Sequence, residues 1–272
     1  MNPYFARSRN DRLAVGTFLF GTLLAVWYLM CVVLPHYQLS SDYVIYAHYA
    51  TMTILYFQSL ANFVMVTVAR PDGNCKALQR NQQTESAHCD ACGIVKPPRS
   101  HHCKVCDVCV LKRDHHCWFA GCCVGLRNHR HFVVMLTYLW LAAVYGNVLQ
   151  WTFVGDQLGG HGPATWFRIV APHVALLTGH VTAYQFFVAV MTFVGLLCLV
   201  MFSWLLQMQV VQIYHGQTQH ERETAVTKYD LGWRQNVTCA LGSRWYLVWI
   251  SPWIPSPIPD DGYEYRTSAK TD

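Results

Sequence analysis

The sequence predicts an all-α integral membrane protein of four transmembrane helices, with a cysteine-rich segment between the second and the third. Three observations predict it. Apolar residues make up 53 % of the 272-residue chain and charged residues only 13 %. The apolar residues fall into four long blocks. The basic residues gather on one side of those blocks.

Residues 13–34 form an uncharged run of 22. A helix needs ~20 apolar residues to cross a hydrocarbon core of ~30 Å. The run is longer than a signal-peptide core, and Pro35-His36-Tyr37 is a poor cleavage site, so it is read as a retained span. Residues 43–69 are uncharged too, softened by His48, Gln58 and Asn62, and residues 132–154 and 186–206 complete the set. Four buried helices of a water-soluble protein would need more polar surface than this composition leaves. Residues 164–179 are a weaker run, broken by Arg168, Pro172 and His173, and are expected to lie on the far face rather than cross.

Orientation follows from the basic residues. Arg7, Arg9 and Arg12 precede the first span, ten Lys or Arg lie in residues 70–131, and six follow the fourth span. Residues 35–42 hold none and 155–185 only Arg168, so nineteen against one places both termini and the 70–131 segment in the cytosol. The expected divisions are therefore 1–12 (cytosolic N-terminus), 13–69 (two spans), 70–131 (cytosolic cysteine-rich domain), 132–206 (two spans with a lumenal loop) and 207–272 (cytosolic C-terminal region). The Asn236-Val237-Thr238 sequon then stands on the wrong side for glycosylation. The net charge of +5 is concentrated in 70–131, where ten basic residues face five acidic ones. That balance suits anionic headgroups or a phosphate-bearing cofactor and not nucleic acid. No internal repeat or low-complexity tract is evident, and the Pro-rich, polar tail after Ser251 is expected to hug the surface before fraying.

Of twelve cysteines, eight fall between residues 89 and 123. In a reducing cytosol, cysteines at such density point to metal binding or catalysis rather than disulfides. Cys89-x2-Cys92 is followed by His102, Cys103-x2-Cys106-x2-Cys109, His115-His116-Cys117 and Cys122-Cys123. A Cys-x2-Cys turn lets two thiolates meet one ion at about 2.3 Å, and several such turns with histidines are what tetrahedral zinc requires. The candidates exceed eight, enough for two Cys3His sites with ligands to spare. The loop is otherwise poor in hydrophobic residues, so zinc must supply much of its folding free energy. In Asp114-His115-His116-Cys117 one histidine can serve zinc while its neighbour faces elsewhere. Cysteine, histidine and carboxylate are also the parts of an activated nucleophile. From spacing alone, a metal-only role and a catalytic role both stand.

Residues 89–132 resemble the cysteine-rich domain of the DHHC family of protein S-acyltransferases. The matching residues are Cys89-x2-Cys92, Lys96-Pro97-x-Arg99, His102-Cys103, Cys103-x2-Cys106, Asp114-His115-His116-Cys117, Cys123-Val124-Gly125, Asn128 and Phe132. The resemblance implies a first zinc on Cys89, Cys92, His102 and Cys109 and a second on Cys103, Cys106, His116 and Cys123. It implies Cys117 as nucleophile, His115 as its base and Asp114 as the group that orients His115. The implied activity is palmitoyltransferase: a long-chain acyl group such as palmitate passes from acyl-CoA to Cys117 and then to cysteines of membrane-associated substrate proteins, which become lipoproteins. The implied location is the Golgi or endoplasmic reticulum membrane.

The chain departs from the family pattern. Trp118-Phe119-Ala120-Gly121-Cys122 replaces Pro-Trp-Val-x-Asn after the nucleophile, Pro71-Asp72-Gly73 permutes Asp-Pro-Gly, and Thr218-Gln219-His220-Glu221 replaces Thr-Thr-x-Glu. Residues 236–242 resemble the family's C-terminal Asn-containing motif. Cys122 is read as a bystander before a second acylation site or resolving thiol. Cys31 and Cys198 are read as apolar fillers within spans, and Cys75 and Cys239 as cytosolic thiols open to acylation. His101 yields to His102 as ligand, His88 is solvated, and His129 and His131 are interfacial. Tyr138 and Tyr145, with Ala142, offer helix packing or a gauge of acyl length. Two other functions stand beside the enzyme: a catalytically weak or inactive relative serving as a zinc-stabilised membrane adaptor, and a zinc-dependent transporter. The transporter is disfavoured because His48 is the only ionisable residue deep in the spans.

Overall fold

The computed structural model describes residues 8–37, 42–69 and 88–268. Ser8 starts the first helix, its hydroxyl accepting from the Asp11 amide at 2.9 Å. Helix α1 (Arg9–Tyr28) runs on through a π turn (Leu29–Val33) and a 3-10 turn (Leu34–His36) that holds Pro35. Then come α2 (Asp42–Val68), six short strands, α3 (His129–Leu158), α4 (Pro163–Val170), α5 (Pro172–Leu177), α6 (Ala183–Tyr214), α7 (Gln219–Glu223) and α8 (Trp233–Leu241). Four stretches, Arg9–His36, Tyr43–Val68, His129–Leu158 and Ala183–Tyr214, are long and apolar enough to cross a membrane. They contain the four uncharged runs except for Ala69 at the end of the second. The weaker run forms α4 and α5, each opened by a proline at its first position and each too short to span.

The chain divides into two compact units. One comprises Leu19–Phe57 and Leu136–Leu206, which take in one end of each long helix together with α4 and α5. Its core gathers Tyr28, Val33, Phe153, Leu158, Ile169 and Val188. Its polar side chains close on each other: Asn147 Nδ2 donates to the Gly195 carbonyl at 3.0 Å, and Trp140 Nε1 to the Ser203 hydroxyl at 3.0 Å. Phe20, Leu23, Leu197, Val200 and Trp204 face outward, as a lipid-facing surface requires.

The other unit comprises Met1–Phe18, Gln58–Met135 and Gln207–Asp272. Its cysteine-rich part is three antiparallel hairpins, β1 (His88–Cys89) with β2 (Ile94–Val95), β3 (His101–Cys103) with β4 (Val108–Val110), and β5 (His115–Cys117) with β6 (Cys122–Val124). The hairpins reveal a repeat that composition hides. His88 pairs with Val95, His102 with Cys109 and His116 with Cys123, each pair displaced by 14 residues from the last. Each turn places one residue in the left-handed region: Gly93 (φ 64°), Asp107 (φ 53°) and Gly121 (φ 61°). The Gly93 amide donates to the Cys89 carbonyl at 2.8 Å, and the Asp107 amide to that of Cys103 at 2.7 Å. His-Cys recurs at 88–89, 102–103 and 116–117, while the residues between these pairs and their partners differ from turn to turn.

Outside the hairpins, a buried ion pair ties the unit together. Arg99 donates from Nε and Nη2 to the two Glu221 carboxylate oxygens at 2.7 and 2.6 Å, and from Nη2 to the Gly216 carbonyl at 2.8 Å. Both side chains are nearly inaccessible, at 4 % and 6 % exposure. Glu221 also closes a capping box with Thr218 at the start of α7. Asn236 Nδ2 donates to the Tyr214 carbonyl and to Asp230, and its Oδ1 accepts from the Leu231 amide. Gly242 sits at φ 89°, where a Cβ would lie 2.3 Å from Ser256, so only glycine fits that contact. The tail is packed through much of its length: Ile258 and Tyr263 lie against Cys89, Ile94, Cys109, Leu111 and Leu126. It supplies apolar surface that the hairpins lack. Arg7, Pro71-Asp72-Gly73 and Cys75 lie outside the described residues.

Replacing Arg99 with Ala would leave Glu221 buried without its cation, a loss of about 3–5 kcal/mol. Thermal unfolding in detergent should show Arg99→Ala far less stable than wild type. Arg99→Ala combined with Glu221→Ala should cost less than the two single changes summed.

Candidate functional site

Period-two alternation along a strand decides which way each histidine points. On β5, His115 and Cys117 share one face and His116 takes the other, toward Cys103 and Cys106 of the preceding turn. The same alternation sends His102 toward Cys92, while His101 meets the His220 ring at 4.3 Å.

Two quartets result, Cys89, Cys92, His102 and Cys109, and Cys103, Cys106, His116 and Cys123. Within each, all ligand atoms lie within 4.8 Å of one another. Each combines the Cys-x2-Cys turn of one hairpin with the cross-strand His–Cys pair of the next. In the second quartet the Cys106 and Cys123 sulfurs are 3.8 Å apart, and His116 Nδ1 lies 3.4–3.6 Å from all three sulfurs. A tetrahedral zinc with Zn–S near 2.3 Å and Zn–N near 2.0–2.1 Å needs S···S about 3.8 Å and S···N about 3.5 Å. The donor sets therefore fit zinc. Hydrogen bonds among the clustered sulfurs push the Cys103 pKa down and the Cys123 pKa up. The thiols cannot all shed their protons until a cation replaces them.

Cys117 and Ala120 stand in the third hairpin where Cys103 and Cys106 stand in the second. Cys117 instead lies beside His115. The His115 Nδ1 donates to Asp114 Oδ2 at 2.8 Å, which turns Nε2 away from the carboxylate. Burial alone would lower the His115 pKa, but the hydrogen bond to Asp114 and then that to the Cys117 sulfur outweigh it and raise it to about 9. Burial would likewise raise the Asp114 pKa, yet the hydrogen bond and charge of His115 hold it well below the usual carboxylate range. The His115 ring is packed edge-on to Phe132 at 5.0 Å. Cys117 is 7 % exposed, whereas Trp118 beside it is 66 % exposed.

Several residues that hold Asp114 escaped the sequence reading. Gln209 on α6 donates from Nε2 to Asp114 Oδ2 at 3.0 Å and to Gln212 Oε1 at 2.8 Å, while its Oε1 accepts from His129 Nε2 at 2.7 Å. The Gln219 amide at the start of α7 donates to Asp114 Oδ1 at 2.8 Å. His129 and His131, expected at the interface, are buried. Their signal was the polar face that Gln209 and Gln212 make at the end of an apolar run. Asn128 is fully buried and donates to the Val66 and Cys123 carbonyls at 2.9 and 3.0 Å. Cys122, paired directly across from Cys117, has its sulfur 3.7 Å from the Val66 carbonyl, and Cys239 is buried. Tyr145 pairs with His48.

A family model described as DHHC palmitoyltransferase matches residues 82–226. The chain is 36 % identical over 184 residues to "Probable palmitoyltransferase ZDHHC24" of Homo sapiens, covering 67 % of this chain and 65 % of that protein. It is 35 % identical over 144 residues to the Danio rerio protein of the same name, covering 52 % and 48 %. For that of Rattus norvegicus the identity is 36 % over 182 residues, covering 66 % and 64 %. The chain thus spans between about half and just under two thirds of these relatives.

Removing metal should unfold the hairpins and leave the helices. In hydrogen exchange, a strong chelator is expected to strip amide protection from residues 88–124 while α2 and α6 keep theirs.

Proposed function

The chain belongs to the DHHC palmitoyltransferase family, and on that premise we propose that it is a protein S-acyltransferase working through a thioester on Cys117. The observation that carries the proposal is the aligned set Asp114, His115 and Cys117, with the carboxylate held by three donors before any substrate arrives. A carboxylate fixed by His115, Gln209 and the Gln219 amide cannot swing away, so it sets both the tautomer and the tilt of the imidazole.

His115 takes the proton from the Cys117 thiol, and its raised pKa makes the imidazolium the natural counter-ion of the thiolate. The thiolate attacks the acyl carbonyl of a long-chain acyl-CoA. The new sulfur–carbon bond forms as the bond to the coenzyme sulfur breaks, and the departing thiolate takes the proton from the His115 imidazolium, which leaves His115 neutral. In the second half, His115 deprotonates a substrate cysteine, which takes the acyl group and returns Cys117 to its starting state. Each half exchanges one thioester for another of similar energy. The eight residues of the two quartets would hold two zinc ions, which lock the hairpins so that β5 presents His115 and Cys117 on one face.

The basic excess in 70–131 supports a cytosolic position for this segment and for both termini. On this reading Cys117 stands where acyl chains in the bilayer meet soluble acyl-CoA. Golgi or endoplasmic reticulum is the membrane that the family suggests. The adaptor alternative gains no support from a triad held this tightly.

Purified protein incubated with labelled palmitoyl-CoA should acquire hydroxylamine-sensitive label. Cys117→Ser should abolish it and Cys122→Ser should not; unlabelled wild type carrying two zinc ions would overturn the enzyme reading. Asp114→Asn should slow self-acylation by about 10²–10⁴-fold, the range for loss of an oriented base, with zinc content unchanged.

A further inference from the structure

The two quartets differ in what stands behind their histidines. His102 Nε2 faces the Asp107 carboxylate at 3.8 Å, and that carboxylate is 81 % exposed. His116 Nε2 faces Asp11 Oδ1 at 3.2 Å, and both side chains are buried, at 7 % and 3 % exposure. Asp11 belongs to the first turn of α1, far away in sequence from the hairpins. Its backbone amide is tied to the Ser8 hydroxyl at 2.9 Å, which fixes the turn. A carboxylate in the first turn of a helix is favoured by the helix dipole, which offsets part of the cost of burying it. Its second oxygen, Oδ2, is buried without a hydrogen bond, so its burial is compensated chiefly through Oδ1 and His116.

From this arrangement we propose that Asp11 is a positioning residue for the second zinc site. It accepts from His116 Nε2–H, fixes the tautomer that leaves Nδ1 for the metal, and makes that nitrogen a better donor. Carboxylates behind metal-bound histidines commonly act so, and their loss weakens metal binding by about 10–100-fold. The docking of the first membrane helix and the metal loading of the hairpin that carries Cys117 are thereby one event. The proposal rests on the zinc reading above.

The test measures zinc release from full-length protein in detergent to a colorimetric chelator, with cobalt-substituted protein followed by its visible spectrum. Wild type should release two zinc ions. In Asp11→Ala, one of the two should leave about 10–100-fold faster, the other at the wild-type rate. In the near-isosteric Asp11→Asn, which keeps an acceptor, that rate should fall between, and the cobalt bands of one site should shift. Unchanged release and spectra in Asp11→Asn would overturn the inference even if Asp11→Ala fails to fold. Equal acceleration of both ions would also overturn it, because that reports general loosening. Wild type that binds no metal would instead overturn the zinc reading itself.

Discussion

Two consecutive histidines on a three-residue strand face opposite ways, and most of the cysteine-rich unit is organised by that divergence. His116 turns to three sulfurs of the second quartet, and His115 to Asp114 and Cys117. Any slip of one residue in the β5–β6 register would exchange their roles and lose both. The register is held by the His116–Cys123 pair, which is at once a rung of the ladder and half of a metal site. Backbone pairing and coordination therefore constrain the same residues.

Hairpins of two or three residues per strand are far too short to be stable unaided. Their interior is largely cysteine: Cys103, Cys106, Val110 and Cys123 form one cluster, and Cys89 and Cys109 contribute to another. What a hydrophobic core would supply elsewhere comes here from coordination and from segments brought in from outside. Ile258 and Tyr263 arrive from the tail, Arg99 and Glu221 pair across more than a hundred residues, and Asn128 fastens the end of the third hairpin to α2. The Asp114 carboxylate is embedded in the same way. It draws on the end of α6 and the start of α7, so its charge is balanced by donors from three parts of the chain.

The four long helices were legible because crossing a bilayer demands a length and polarity that sequence displays directly. The cysteine-rich segment was legible because metal ligands have few alternatives and fixed spacings. The short strands were not, since a two-residue strand has no periodicity to read. Gln209 was missed because one amide in an apolar helix does not say what it faces. Asp11 was missed because its partner lies 105 residues away and nothing local links them. Thr218 and Glu221 were recognised as motif positions, but their work, a helix cap and a buried ion pair with Arg99, is a matter of tertiary contact.

The third turn of the hairpin series carries Ala120 where the second carries Cys106. Two sulfurs in one turn seize an ion together, because the second binds without the entropy cost of bringing in another ligand. The third turn lacks a sulfur at that x2 position, and among the described residues no fourth hairpin follows to offer it a His–Cys pair. The series therefore ends in a monodentate thiol amid eight residues arranged to capture metal. On the proposed reading, selectivity between structural and reactive sulfurs is built into denticity: the ions would go where a Cys-x2-Cys turn meets a His–Cys pair, and Cys117 would stay open to carbon electrophiles.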